Sequence, residues 1–244
     1  MELDAVAEIF AEKRVMRAAI DAVLEGRCGD AVIAGPCARL DLGFFAILAG
    51  DAAVAAAAPL VGAAPPPRVF IAADEWHDLI RRALPDAEPH VERRTRFSAD
   101  GLEDTKLAAL RGVPRRCRLE PLDADLLARA LRDVSPDLLL GAVFGSPEAF
   151  AAGGGFGFAA VEQGRVLAAA TSAIVAERRI EIQINTAEGR RRRGLATAVG
   201  AAIALEARRR GLDPGWDTGS AASHALARKL GYRPEEQHVA LVFG

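Results

Sequence analysis

Strict alternation over Ile180-Glu181-Ile182-Gln183-Ile184-Asn185 puts three isoleucines on one face and three polar side chains on the other, the pattern of a half-buried strand. The period then changes: Leu195, Val199, Ala202, Ile203 and Ala207 share one face of a helix over about 194–210. Arg208–Arg210 complement the dipole at its end, and Gly211 stops it. Around this pair the same reading predicts a hairpin of Phe156–Val161 and Val166–Val175 turning through Glu162–Arg165, a short strand near Trp216, a helix over 221–230 and a last strand over 238–243. Upstream, Cys117–Pro121 reads as a strand, and Asp123 caps a helix that buries Leu126, Leu127, Ala130 and Leu131.

The first half is also mixed. Helical spacing of Val6, Ile9, Phe10, Met16, Ile20, Val23 and Leu24 predicts one or two helices over 3–25. Ala31–Ala34 and Leu40–Leu48 read as a strand pair around Gly35-Pro36, and Asp51–Leu60 as a helix ended by Ala64-Pro65-Pro66-Pro67. Val69–Ala72 is a strand, Asp74 caps a helix through Leu84, and His90–Phe97 is another strand. A connection over 101–114, with a helix at 102–111, leads to the second half. The expected class is therefore α/β (α+β), with a smaller α/β domain at 1–114 and a mixed sheet flanked by helices at 115–244. No repeat is evident by residue identity, but the first half follows part of the element order of the second, as a degenerate half-copy without its Arg-Gly turn.

Composition narrows the function classes. The chain has 244 residues, 51% of them hydrophobic, and a formal net charge of −2. That is ample for a packed core, and it sets up no global field toward nucleic acid or membrane. Arg190–Arg193 and Arg208–Arg210 lie at opposite ends of one helix, a poor basis for nucleic-acid binding. Cys28, Cys37 and Cys117 form no CxxC pair, and His77, His90, His224 and His238 show no ligand spacing, so neither a disulfide framework nor a metal is expected. The histidines read as surface or capped residues, and Trp76 and Trp216 as packing. Gly153–Gly157 precedes a strand rather than a helix, so it is no dinucleotide fingerprint. No leader peptide is read at the N-terminus, and the Ala52–Ala58 run is far shorter than the ~20 residues of a membrane span, which points to the cytoplasm.

The strand-to-helix turn carries the candidate chemistry. Free N–H groups and the dipole at a helix start favour an anion, Gly194 allows close approach, and the arginines add charge suited to a pyrophosphate. Arg191-x-x-Gly194-x-Ala196 at this place resembles the signature of the GNAT superfamily of acyl-CoA-dependent N-acyltransferases. The run from Asn185 to Tyr232, with Thr186, Gly194-Leu195-Ala196-Thr197, Pro214-x-Trp216-Asp217 and Ser223-x-x-Leu226-Ala227-x-Lys229-Leu230-Gly231-Tyr232, is similar to the subgroup that includes the zwittermicin A resistance acetyltransferase. Looser matches at Gly29–Gly35, Phe44–Asp51 and Asp74–Ile80 extend the likeness over nearly the whole chain.

The resemblance implies acetyl-CoA as co-substrate. It implies that the backbone of Ile184, Asn185 and Thr186 pairs with the pantetheine arm, that Arg192, Arg193, Gly194, Leu195, Ala196 and Thr197 line the pyrophosphate, and that Arg191 holds the signature Arg/Gln position of the cofactor turn. Ser220 stands where many members have an Asn contacting the cofactor; locally it is a helix N-cap. Many members place a tyrosine, as the acid for the departing thiolate, where this chain has Ala227. The sole tyrosine, Tyr232, occupies a position that is usually structural. Ser223, one turn before Ala227, or a water then takes that part, or the thiolate leaves unassisted. Amine attack requires a neutral amine, and Glu181, on the polar face of the cofactor strand beside Gln183, is the candidate base, with Asp217 in reserve. The expected activity is an N-acetyltransferase acting on a small amine, from a monomer or homodimer. The alternatives are a protein or peptide amine as acceptor, and a non-catalytic acyl-CoA sensor.

Overall fold

The computed structural model describes residues 2–62, 69–139 and 141–243, so the predicted breaker Ala64–Pro67 lies outside the described residues. Among these residues, eleven strands form one mixed sheet in the order β1-β2-β3-β4-β11-β5-β10-β9-β8-β7-β6. The strands are β1 (Asp30–Ala34), β2 (Cys37–Asp41), β3 (Phe45–Ala49), β4 (Val69–Ile71), β5 (His90–Ser98), β6 (Arg118–Pro121), β7 (Gly157–Glu162), β8 (Arg165–Val175), β9 (Arg179–Thr186), β10 (Asp213–Thr218) and β11 (Arg233–Val242). The helices are α1 (Glu2–Ile9), α2 (Arg17–Leu24), α3 (Ala58–Val61), α4 (His77–Ala83), α5 (Asp104–Leu110), α6 (Ala124–Asp133), α7 (Gly141–Phe144), α8 (Pro147–Ala152), α9 (Leu195–Arg209) and α10 (Ala221–Leu230).

The element order is used twice. β1, β2 and β3 are antiparallel neighbours and β3 runs parallel to β4; β7, β8 and β9 are antiparallel neighbours and β9 runs parallel to β10. In each half a helix and a final strand follow, and these final strands change places. β5 pairs with β10, β11 pairs with β4, and the two run antiparallel to each other along their lengths. The expected half-copy is thus present as topology, with its last strand built into the other half's sheet. Where the second half has the fifteen-residue helix α9, the first half has only a 3₁₀ turn and the four-residue α3.

The isoleucines of β9 face α9, where Ile180 and Ile182 pack with Val199, Ile203, Trp216 and Leu230 in the largest core. On the opposite face α2 lies across the sheet, and Ile20 and Val23 pack with Leu40 and Ile47 of the first half and Ile174 of β8. Asp123 caps α6 as expected, its Oδ1 accepting from the Leu126 N–H at 2.7 Å. The β7–β8 hairpin turns through Gln163 and Gly164, both at positive φ (52° and 79°), a two-residue turn whose twist suits the strands.

Several expectations change. Leu40–Leu48 is not one strand; Gly43 (φ 74°) turns the chain between β2 and β3, with the Leu42 N–H bonded to the Phe45 carbonyl. Asp51–Leu60 is not one helix, because the Asp51 Oδ1 accepts from the Ala53 N–H and Val54 is extended, leaving helical turns only from Ala55. Asp74 does not cap α4. It begins a 3₁₀ turn, and no side chain caps that turn. The last strand starts at Arg233 rather than 238, since β5 offers it a partner that is distant in sequence. The unassigned stretch after residue 134 holds short helical turns, including α7 and α8.

Candidate functional site

The site arises where two parallel strands part. Pairing of β9 with β10 covers Arg179–Glu181 against Asp213–Gly215 and stops there. Beyond it, Trp216–Thr218 pair with β5 instead, while Ile182–Thr186 pair only with β8 on their far side. The β9 edge over Ile182–Thr186 therefore faces open space with main-chain donors and acceptors that, among the described residues, no strand satisfies. A cavity of about 930 Å³ fills the gap and carries side chains from both faces of the sheet, Ile184 and Trp216 from one, Gln183, Asn185 and Asp217 from the other.

One end of this cavity is the start of α9. Gly194 is the N-cap residue at φ 78°, a left-handed conformation that favours glycine, and no side chain caps the helix. Among the described residues, the N–H groups of Leu195, Ala196 and Thr197 have no hydrogen-bond partner. Gly189 (φ 73°) and Arg192 (φ 65°) are also left-handed, so successive N–H groups of the turn curve into a concave surface suited to an anion. Arg190, Arg191 and Arg192 line the cavity, whereas the Arg193 guanidinium turns outward to Glu162 at 3.6 Å. An unpaired strand edge leading to an uncapped helix start ringed by arginines fits an extended, amide-bearing ligand ending in phosphates.

The other end is polar. Gln183 donates to the Asn185 Oδ1 at 3.1 Å, and both line the cavity. Glu181, on the same strand face, turns aside into a separate pocket of about 20 Å³, the space of one water, beneath Met16–Ala18 at the start of α2. Burial, and then the Asp217 carboxylate, push Glu181 up to about 8, while Arg94 and Arg96 pull it back. Its neighbour in register is Gly215, where a Cβ would lie only 2.8 Å from the Glu181 Oε2. The small pocket and the large cavity share Trp216 and Asp217 as walls.

Asp217 is held in a chain of charges. Its Oδ1 accepts from Arg94 Nε at 2.6 Å, and its Oδ2 lies 2.7 Å from His238 Nε2. Arg94 also donates to Glu92 at 2.7 Å. Burial raises the Asp217 carboxyl, but the His238 hydrogen bond and the Arg94 guanidinium outweigh it and hold it below the usual range. An ion-paired carboxylate of low pKa is a weak base, which counts against Asp217 as the reserve candidate. His238 corrects the reading of the histidines as surface or capped: it is buried because β11 lies beside β5. Glu92 and Arg94 escaped the sequence reading altogether. They lie on a strand of the first half, and nothing local shows that it borders β10.

Ser220 caps α10, accepting from the Ser223 N–H at 3.2 Å, and both serines line the cavity. Ser223 Oγ accepts the Trp216 indole N–H at 3.1 Å, which leaves its own proton free to donate. Ala227 is fully buried, and Tyr232 packs at a tilt against Trp216 with its hydroxyl buried and, among the described residues, unpartnered, so neither reaches the cavity.

The model of the GNAT acetyltransferase family matches residues 7–241. Over its whole length the chain is similar to a GCN5-related N-acetyltransferase-like protein from Streptococcus suis, at 25% identity and a TM-score of 0.85, covering 98% of that chain. A GCN5-related N-acetyltransferase from Kribbella flavida shares the fold at 18% identity and a TM-score of 0.61, covering 93% of this chain and 95% of its own. A tandem GNAT protein from the clavulanic acid biosynthesis pathway does so at 13% identity and a TM-score of 0.61, covering 98% and 92%. No match is found among proteins of curated function.

Proposed function

Because the chain belongs to the GNAT acetyltransferase family, we propose that it transfers the acetyl group of acetyl-CoA to the amino group of a small molecule, by direct attack of the amine on the thioester. The observation that carries this reading is the parting of β9 from β10 beside the uncapped start of α9. Ile184, Asn185 and Thr186 offer main-chain pairing to the pantetheine amides. The free N–H groups of Leu195, Ala196 and Thr197, with Arg191, Arg192 and the backbone at Arg193 and Gly194, meet the pyrophosphate. Ser220 borders the same cofactor. The likeness of Asn185–Tyr232 to the antibiotic-acetylating subgroup supports a small acceptor.

Residues 1–114 form the acceptor-side wall in this proposal and 115–244 the acyl-CoA domain. The roof of Met16–Ala18 over Glu181 favours a small amine over a protein segment. Glu181 accepts the amine proton through the single water its pocket accommodates. A carboxyl near 8 is matched to that task, since it is largely ionised only where amines begin to lose their own proton. The nitrogen lone pair forms the new C–N bond, the C–S bond breaks, and Ser223 hydrogen-bonds the departing sulfur with its free proton. Among the described residues no helix is long and apolar enough to cross a membrane.

The test is incubation with acetyl-CoA and a panel of small amines, following free thiol, beside calorimetric titration with CoA. Thiol release that depends on both the amine and Glu181 supports the proposal. Tight CoA binding without turnover on any amine, unchanged in Glu181→Gln, replaces it with an acyl-CoA sensor.

A further inference from the structure

The chain of charges ends at His238, and beyond it lies a second cavity. β4 accompanies β11 only from Ala240 to Val242, whereas β5 follows β11 back to Arg233. Among the described residues, Glu236–Val239 therefore have one edge with no strand against it. A cavity of about 460 Å³ opens there, between that edge, the Ile71–Asp74 segment and the α1–α2 connection that carries Lys13. Two strand spacings, about 10 Å, separate β11 from β10, so this is not the acyl cavity.

Its donors are short of partners. Lys13 is held below its usual range by burial, only partly offset by Glu236 and Glu75, and its hydrogen bond to the Leu48 carbonyl is long at 3.3 Å. Arg93, an exposed residue, lines the same cavity and, among the described residues, has no carboxylate within ion-pair distance. His238 commits Nε2 to Asp217 and leaves Nδ1, an acceptor in the neutral ring, buried without a partner among the described residues. The acids at the rim look outward: Glu236 is exposed, and the Asp74 side chain is 91% exposed. A partly desolvated lysine and an unpaired arginine beside a cavity whose acids are solvated favour an anion there.

We propose that this cavity is a second ligand site, for a small carboxylate held by Lys13 and Arg93, with its apolar part against Val15, Ile71 and Val239. A bound carboxylate adds to the partial offset that Glu236 and Glu75 give Lys13, and the free β11 edge supplies main-chain donors. The occupant touches His238, whose far nitrogen holds Asp217 in the wall of the acyl cavity. It is therefore joined to the acyl site by one hydrogen bond and shares none of that site's anion donors.

The test is titration of the full chain with succinate, following backbone amide signals by NMR, with methylammonium as the comparison. Saturable shifts at Glu236–Val239 and Ala72–Asp74 are expected. Lys13→Met and Arg93→Gln should each weaken binding about tenfold, the loss of one charge-assisted hydrogen bond. Both side chains are partly or fully exposed, so folding is retained and a thermal melt checks it. Shifts confined to Arg190–Leu195, shifts that both variants leave intact, saturation by methylammonium in place of succinate, or no saturation at tens of millimolar each overturn the proposal. Binding is read without turnover, so failure here leaves the acyltransfer reading untouched.

Discussion

Glu181→Gln should make the protein more stable while making it a poorer catalyst, and the gain in stability should depend on pH in a defined direction. Burial and Asp217 raise the Glu181 carboxyl from 4.5 to about 8. The folded chain therefore keeps a proton that the unfolded chain has released throughout that window. Stability from this group is complete at the acid end, falls as pH rises through the window and levels off above it. At about 1.36 kcal/mol per pH unit the full span corresponds to roughly 5 kcal/mol, an upper bound because Glu181 retains some solvent contact. Glutamine releases no proton, so the variant escapes this loss. Urea denaturation of both proteins across the window should show the variant's advantage growing with pH, by on the order of 3 kcal/mol at the alkaline end. Asp217 does not confuse the measurement, because its carboxyl is held low and its own contribution is lost only at more acid pH. The rate should fall by about 10²–10⁴, the usual contribution of a general base. Parallel pH curves for the two proteins would refute the reasoning, since the carboxyl would then titrate alike folded and unfolded.

Two further outcomes test the surroundings of that carboxyl. Asp217→Asn removes a repelling charge and frees Arg94 to act on Glu181, so the rising limb of kcat/KM against pH should move toward acid; Arg94→Gln should move it toward alkali. An acceptor amine that titrates outside the window separates this limb from the amine's own, and shifts of like sign in the two variants count against the network. Ser223→Ala takes the acceptor from the Trp216 indole N–H and the donor from the departing sulfur. It should lower stability by about 1–2 kcal/mol in denaturation and kcat by about tenfold in the thiol assay; an unchanged kcat would mean that the sulfur leaves without Ser223.

Local pattern was enough wherever partners are near in sequence. The alternation of Ile180–Asn185, the helical stripe from Leu195 to Ala207, and the Ser220 and Asp123 caps all depend on neighbours within a turn or two, and the structure has them where the pattern put them. The Arg-Gly turn was legible for the same reason. The first half was read less well: Gly43 splits one expected strand, and the Asp51 side chain bonded to the Ala53 N–H with Val54 extended delays the expected helix.

The sequence by itself determined the strand–turn–helix module, the glycine that lets an anion approach its turn and the charge at its mouth, because each follows from residue type and periodicity over a dozen residues. Only the tertiary structure decided what stands beside that module. The exchange of β5 and β11 between halves brings Glu92 and Arg94 to Asp217 and buries His238 on its other side, at separations of more than a hundred residues for the first pair. No local period encodes which strand fills the place beside β10. That choice is made when the whole sheet forms, and it sets the charge around Glu181 on which the proposed chemistry rests.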